Sequence, residues 1–129
     1  MTTSITALYA ALAGFMVLGL AGLVVKARWR YGTSLGIGTE PGMERAVRVH
    51  ANFIEYVPLA LLLLLVAELN GISASLLHAA GILLLVSRTL HAYGLSQRSG
   101  RSFGRFYGTA GTWLTLLLLS ASLLYATLK

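Results

Sequence analysis

Residues Glu44–Gly71 read ERAVRVHANFIEYVPLALLLLLVAELNG, and the two halves of this stretch differ in kind. From Pro58 to Leu69 it is an apolar run broken only by Glu68, whereas the first half carries Glu44, Arg45, Arg48, His50, Asn52, Glu55 and Tyr56. Read as one helix from Met43 to Leu69, at about 1.5 Å per residue it spans roughly 40 Å. That exceeds the bilayer's hydrocarbon core of about 30 Å. The excess lies at the charged start, which projects into the headgroups and leaves Asn52 and Glu55 at or below the membrane surface. At about 100° per residue, with Arg48 as zero, Glu44 falls near −40°, Asn52 near +40° and Glu55 near −20°. These four residues share one stripe, and His50 falls on the opposite face. A stripe of charge and amide turned to lipid costs about 2.5–3.5 kcal/mol per charged residue at mid-bilayer, so it should face an interior or a wet cavity. The plainer alternative is internal pairing of Glu44, Arg48 and Glu55 that only holds the bundle together. Pro58, just past the stripe, removes a backbone hydrogen bond to the Ile54 carbonyl and should kink the helix.

The rest of the chain follows the same solvent logic. Its 129 residues make one domain, and 57% hydrophobic with 11% charged residues is too apolar for a water-soluble surface. Spans are expected at about 5–25, 43–69, 73–93 and 105–128, with loops at Lys26–Gly42 and Gly94–Gly104 and a tight turn at Asn70–Gly71. Short connections make this an all-α integral membrane four-helix up-down bundle. The N-terminal MTTSITALYAALAG lacks a basic n-region and reads as part of the first span rather than a cleaved signal.

The net charge of +6 is a membrane signature rather than a nucleic-acid one. Lys26, Arg28, Arg30, Arg45, Arg48, Arg88, Arg98, Arg101 and Arg105 lie in or near the two long loops, which the positive-inside rule places in the cytoplasm with both termini outside. With no cysteine, the chain supplies no disulfide, thiolate ligand or cysteine nucleophile. His50, His78 and His91 lack metal-ligand spacing, so no metal is expected.

The pattern E-R-x-x-R-x-H-x-N-x-x-E-Y-x-P over Glu44–Pro58 resembles the signature of the MAPEG superfamily, the membrane-associated proteins of eicosanoid and glutathione metabolism. Length, four spans and basic loops agree along the whole chain. The resemblance implies a homotrimer that binds glutathione between subunits near the cytoplasmic face. Its activity would be that of a glutathione transferase or peroxidase acting on lipophilic electrophiles in detoxification. Carried over by position, Arg48, Asn52, Glu55 and Tyr56 would hold glutathione. Such a zwitterionic tripeptide needs both signs of charge at fixed separation. Arg28 resembles the arginine added from the end of the first helix, and Arg88-x-x-His91 resembles a third-helix pair whose members lie about 60° apart. Arg105 matches the arginine at the glutathione sulfur and would be the catalytic residue, with Arg101 in reserve. Leu95 departs from the pattern, standing where several members carry tyrosine. Gly104-x-x-x-Gly108 would permit close helix contact.

Two rivals remain at this level. A lipid-presenting, non-catalytic protein of the same fold has no evident use for a zwitterion clamp. A small proton-coupled drug transporter needs a carboxylate in its first helix, and Ile5–Val25 has none. Trp29, Tyr31 and Tyr125 read as interfacial anchors and Trp113 as bundle packing. A bacterial inner membrane is the expected location.

Overall fold

The computed structural model describes residues 3–129; Met1 and Thr2, read above with the first span, lie outside them. Four helices follow one another: α1 Ser4–Tyr31, α2 Pro41–Leu69, α3 Ala74–Gln97 and α4 Phe103–Thr127. Each is long and apolar enough to cross a membrane. The outward faces carry Leu8, Leu12, Phe15, Leu18, Leu62 and Leu117, all well exposed. Such a surface is unstable in water and natural against acyl chains.

The spans stand where the apolar runs placed them, and the helix ends extend further. α1 runs six residues past Val25 through KARWRY, because the end of the apolar run marks the membrane boundary and not the end of the helix. Arg28 and Arg30 in its last turn suit the negative end of the helix dipole. Gly32, at φ 64°, then stops it in the left-handed conformation that glycine adopts without a Cβ penalty. α3 likewise continues through Gly94 to Gln97. α2 runs unbroken as a helix through Pro58, whose ring is exposed.

The antiparallel α2 and α3 form the centre. α1 packs on one flank of that pair, against both helices, and α4 packs on the other; among the described residues no Cα of α1 comes within 8 Å of one in α4. Small residues set the spacing. Any Cβ at Gly81 of α3 would fall within the Tyr9 ring of α1. At Gly108 of α4 a Cβ would lie 2.6 Å from the Ser87 carbonyl oxygen and from the His91 backbone nitrogen, both on α3. The expected Gly104–Gly108 contact is therefore real, and it brings α4 against the polar part of α3. Two apolar clusters fill the interior, one around Tyr9, Leu64, Leu77 and Leu119, the other around Ala13, Phe53 and Val57.

The end away from the basic loops has a feature the sequence did not suggest. Glu68, at the end of α2, accepts hydrogen bonds from the backbone N–H groups of Ile5 (2.9 Å) and Thr6 (2.7 Å). A carboxylate thus caps the positive end of α1 from another helix. Nearby, the Tyr9 hydroxyl donates to the His78 carbonyl oxygen (3.1 Å) and lies 3.0 Å from its Nδ1.

Candidate functional site

Arg88 of α3 is the anomaly on which the site is built. Its side chain is only 2% exposed, inside a membrane bundle. No carboxylate lies within ion-pairing distance; the single ion pair among the described residues joins Arg48 and Glu55. One guanidinium nitrogen donates to Asn52 Oδ1 at 2.6 Å and, weakly, to the Asn52 carbonyl oxygen at 3.5 Å. The other donates to the Gly108 carbonyl oxygen at 3.4 Å, while Nε has no partner. The Tyr56 ring lies 5.5 Å from the guanidinium carbon, close enough for a cation–π contact. A buried, fully ionised group held by one short neutral hydrogen bond is short of negative charge.

Local packing explains why Arg88 sits there. Glycine at 108 lets α4 close on α3 so tightly that Arg88 reaches the α4 backbone, and Ser87 and His91 are buried in the same seam. Thr112, buried one turn further along α4, donates its hydroxyl to the same Gly108 carbonyl oxygen at 2.7 Å.

Above Arg88, toward the basic loops, a cavity of about 230 Å³ opens between α2, α3 and α4. Glu44, Arg45, Arg48 and Asn52 form its α2 wall; His91 and Leu95 come from α3, Ser99 from the connecting loop, and Arg105 from α4. Arg105 donates to the carbonyl oxygens of Ser99 and Gly100, each at 2.7 Å, and so binds the loop to the first turn of α4. That turn contains no acidic residue. Ser102 caps it by accepting from the Arg105 backbone N–H at 3.3 Å. Arg105 thus brings a guanidinium to the cavity from the first turn of α4, close to the positive end of that helix, and both favour a nearby anion.

The expected residues are brought together in part. Arg48, Asn52, His91 and Arg105 line the one cavity, with Arg88 beneath Asn52. The α2 stripe divides at the helix edge: Asn52 turns inward to Arg88, Glu55 stays outside the cavity, and Arg48 at the cavity's edge pairs with Glu55 at 3.5 Å, both side chains about half exposed. Tyr56 lies between these two faces. Arg28 is not brought to this cavity within one chain; it donates to the carbonyl oxygens of Thr33 and Gly36, both at 3.2 Å, and shapes the α1–α2 loop on the other flank. Arg101 is exposed and does not line this cavity. Leu95, where tyrosine was the alternative, presents an apolar wall.

Trp113 departs from its expected place inside the bundle. It is 59% exposed, and its indole N–H donates to the Tyr56 hydroxyl at 3.3 Å, linking α4 to α2 beside the site. The signal was available in the helix period, since Trp113 follows Arg105 by eight positions and lies about 80° from it. Glu44 of the α2 stripe also belongs to the lining, as do Arg45 and Ser99, which were not among the expected site residues.

The chain is 36% identical over 115 residues to the inner membrane protein YecN of Escherichia coli strain K12, covering 89% of this chain and 86% of that protein. The YecN of Escherichia coli O6:H1 strain CFT073 matches to the same extent. The family model for the MAPEG family matches residues 6–125, nearly the whole of the four-helix bundle, and the chain belongs to that family.

Proposed function

We propose that this protein is a glutathione-dependent transferase or peroxidase of the inner membrane, acting on lipophilic electrophiles with glutathione bound between copies of the chain. The observation that carries the reading is the buried Arg88, short of negative charge, beneath a cavity that offers Arg48, Arg105 and Glu44 together. Glutathione has two carboxylates, an ammonium and a thiol. A site for it needs several cations and at least one carboxylate, and Glu55 and Glu44 stand beside the arginines.

The size and exposure of the parts support a site shared between copies of the chain. A cavity of about 230 Å³ lies below the range of about 300–1,000 Å³ in which one chain encloses a small-molecule ligand. The half-exposed Arg48–Glu55 pair lies on a membrane helix, where lipid is a poor solvent for it. A second copy against this face of α2 completes the site and covers the pair. In a trimer Arg28 then reaches glutathione from a neighbour rather than from its own chain.

Chemically, the thiol comes with the co-substrate, which suits a protein without cysteine. A free thiol is only about 3% thiolate at pH 7. A nearby arginine that lowers the thiol pKa by about 2 units raises that fraction about 25-fold, yet nucleophilicity falls with acidity, so the net gain is about threefold. The larger share of acceleration comes from holding thiolate and electrophile together, and the bilayer concentrates the apolar partner at the cavity mouth. We assign Arg105 to the sulfur, because it matches the family's arginine by position and lines the cavity from the first turn of α4. The test is turnover of a lipophilic electrophile by the purified protein with glutathione. Arg105→Ala should lose turnover while calorimetry still registers glutathione binding; unchanged turnover removes Arg105 from the mechanism.

A further inference from the structure

The flank opposite the proposed glutathione site has a cavity of its own, of about 290 Å³, between α1, α2 and α3. Its upper rim carries Lys26 and Arg30 from α1 and Arg45 from α2, and Ser96 of α3 adds a hydroxyl. No carboxylate lines it, and the only ion pair among the described residues lies elsewhere, at Arg48–Glu55. Lys26 and Arg30 are four residues apart and so share a helix face. Below them on α1 the wall is apolar. Leu23 and Leu20 follow at roughly 4.5 and 9 Å deeper along the helix axis, facing Val49 of α2. The loop end is closed by Tyr31, whose ring lies directly over Gly42; a Cβ there would collide with the phenol.

We propose that this cavity binds an anionic phospholipid of the surrounding leaflet, its phosphate held by Lys26, Arg30 and Arg45 and one acyl chain lying along Leu23 and Leu20. The order of groups along the membrane normal carries the assignment. Cations stand at the boundary, where a headgroup phosphate lies, and apolar side chains continue directly beneath them, where acyl chains begin. A water-soluble anion of the same phosphate chemistry would use the cations and leave the leucine wall without a partner. Arg45 also lines the cavity on the other flank, so a phosphate drawn to this side stands one side chain away from the proposed glutathione site. The lipid site itself rests on its own lining residues and not on the glutathione reading.

The experiment is native mass spectrometry of the full-length protein released from detergent, titrated separately with phosphatidylglycerol, phosphatidylcholine and inorganic phosphate. Phosphatidylglycerol should remain bound where phosphatidylcholine and phosphate do not. Lys26→Ala/Arg30→Ala should weaken it about 25-fold, at about fivefold per cation near a membrane surface. Arg98→Ala/Arg101→Ala, which removes equal charge from the same side but outside the cavity, should leave it unchanged. Ala46→Leu, which fills the cavity without altering charge, should also displace the lipid. Equal retention of both lipids, retention of inorganic phosphate alone, an equal loss in the Arg98/Arg101 variant, or full binding by Ala46→Leu would each overturn the proposal.

Discussion

Replacing Asn52 separates the structural and functional halves of the Arg88 argument. The guanidinium is 2% exposed and has one short hydrogen bond, at 2.6 Å, to the Asn52 amide oxygen; its other acceptors lie at 3.4 and 3.5 Å. Asn52→Ala removes that oxygen and leaves a buried cation with only the two long contacts. A hydrogen bond to a charged group contributes about 1.5–3 kcal/mol, so the variant should lose about 2 kcal/mol of stability. Asn52→Asp has the opposite effect on the charge. It restores the acceptor and supplies the missing counter-ion, so stability should hold while the attraction for an external anion falls. Chemical unfolding in detergent measures the first quantity and calorimetric titration with glutathione the second. An Asn52→Ala protein that unfolds like the parent would refute the claim that Asn52 sustains Arg88. An Asn52→Asp protein that binds glutathione undiminished would refute the claim that the uncompensated charge draws the ligand in.

Other consequences are open to simpler tests. Gly108→Ala places a methyl 2.6 Å from rigid α3 backbone; forcing the seam apart should cost about 1–3 kcal/mol in unfolding experiments and weaken glutathione binding with it. Glu68→Ala removes the cap on α1, and amide exchange at Ile5 and Thr6 should quicken while glutathione affinity stays as it was. Trp113→Phe loses the hydrogen bond to Tyr56 but keeps the ring, so stability should change by less than about 1 kcal/mol, with any loss of activity appearing in substrate affinity. Reversing the surface pair with Arg48→Glu/Glu55→Arg keeps the ion pair but inverts its orientation; the bundle should fold and glutathione binding should fall at least tenfold.

The four spans were legible because bilayer thickness imposes a length on every apolar run, and that constraint acts locally along the chain. The helix ends were not legible for the same reason. Lys26–Tyr31 are helical although they leave the hydrocarbon, and nothing in their hydropathy separates a solvated helix from a loop; Gly32 was the usable signal. In the site, the period of α2 identified Arg48, Asn52 and Glu55 as one stripe, but an arc of about 60° straddles a groove edge. Which member turns inward depended on Arg88, 36 residues away, and on glycines that let α4 approach. Arg28 and Glu68 show the same limit. Their partners are backbone groups, carbonyls of the α1–α2 loop for one and amides of α1 for the other, and backbone groups leave no mark in a sequence.

Thiolate absorbance on adding glutathione to the purified protein at neutral pH tests the central claim most directly, because it reports binding and ionisation at once. The account predicts a saturable ultraviolet rise in the parent protein, a smaller one in Arg105→Ala, and none when Arg48 and Arg88 are both replaced by methionine. A parent protein that shows no rise at millimolar glutathione, while calorimetry finds no heat of binding, contradicts it.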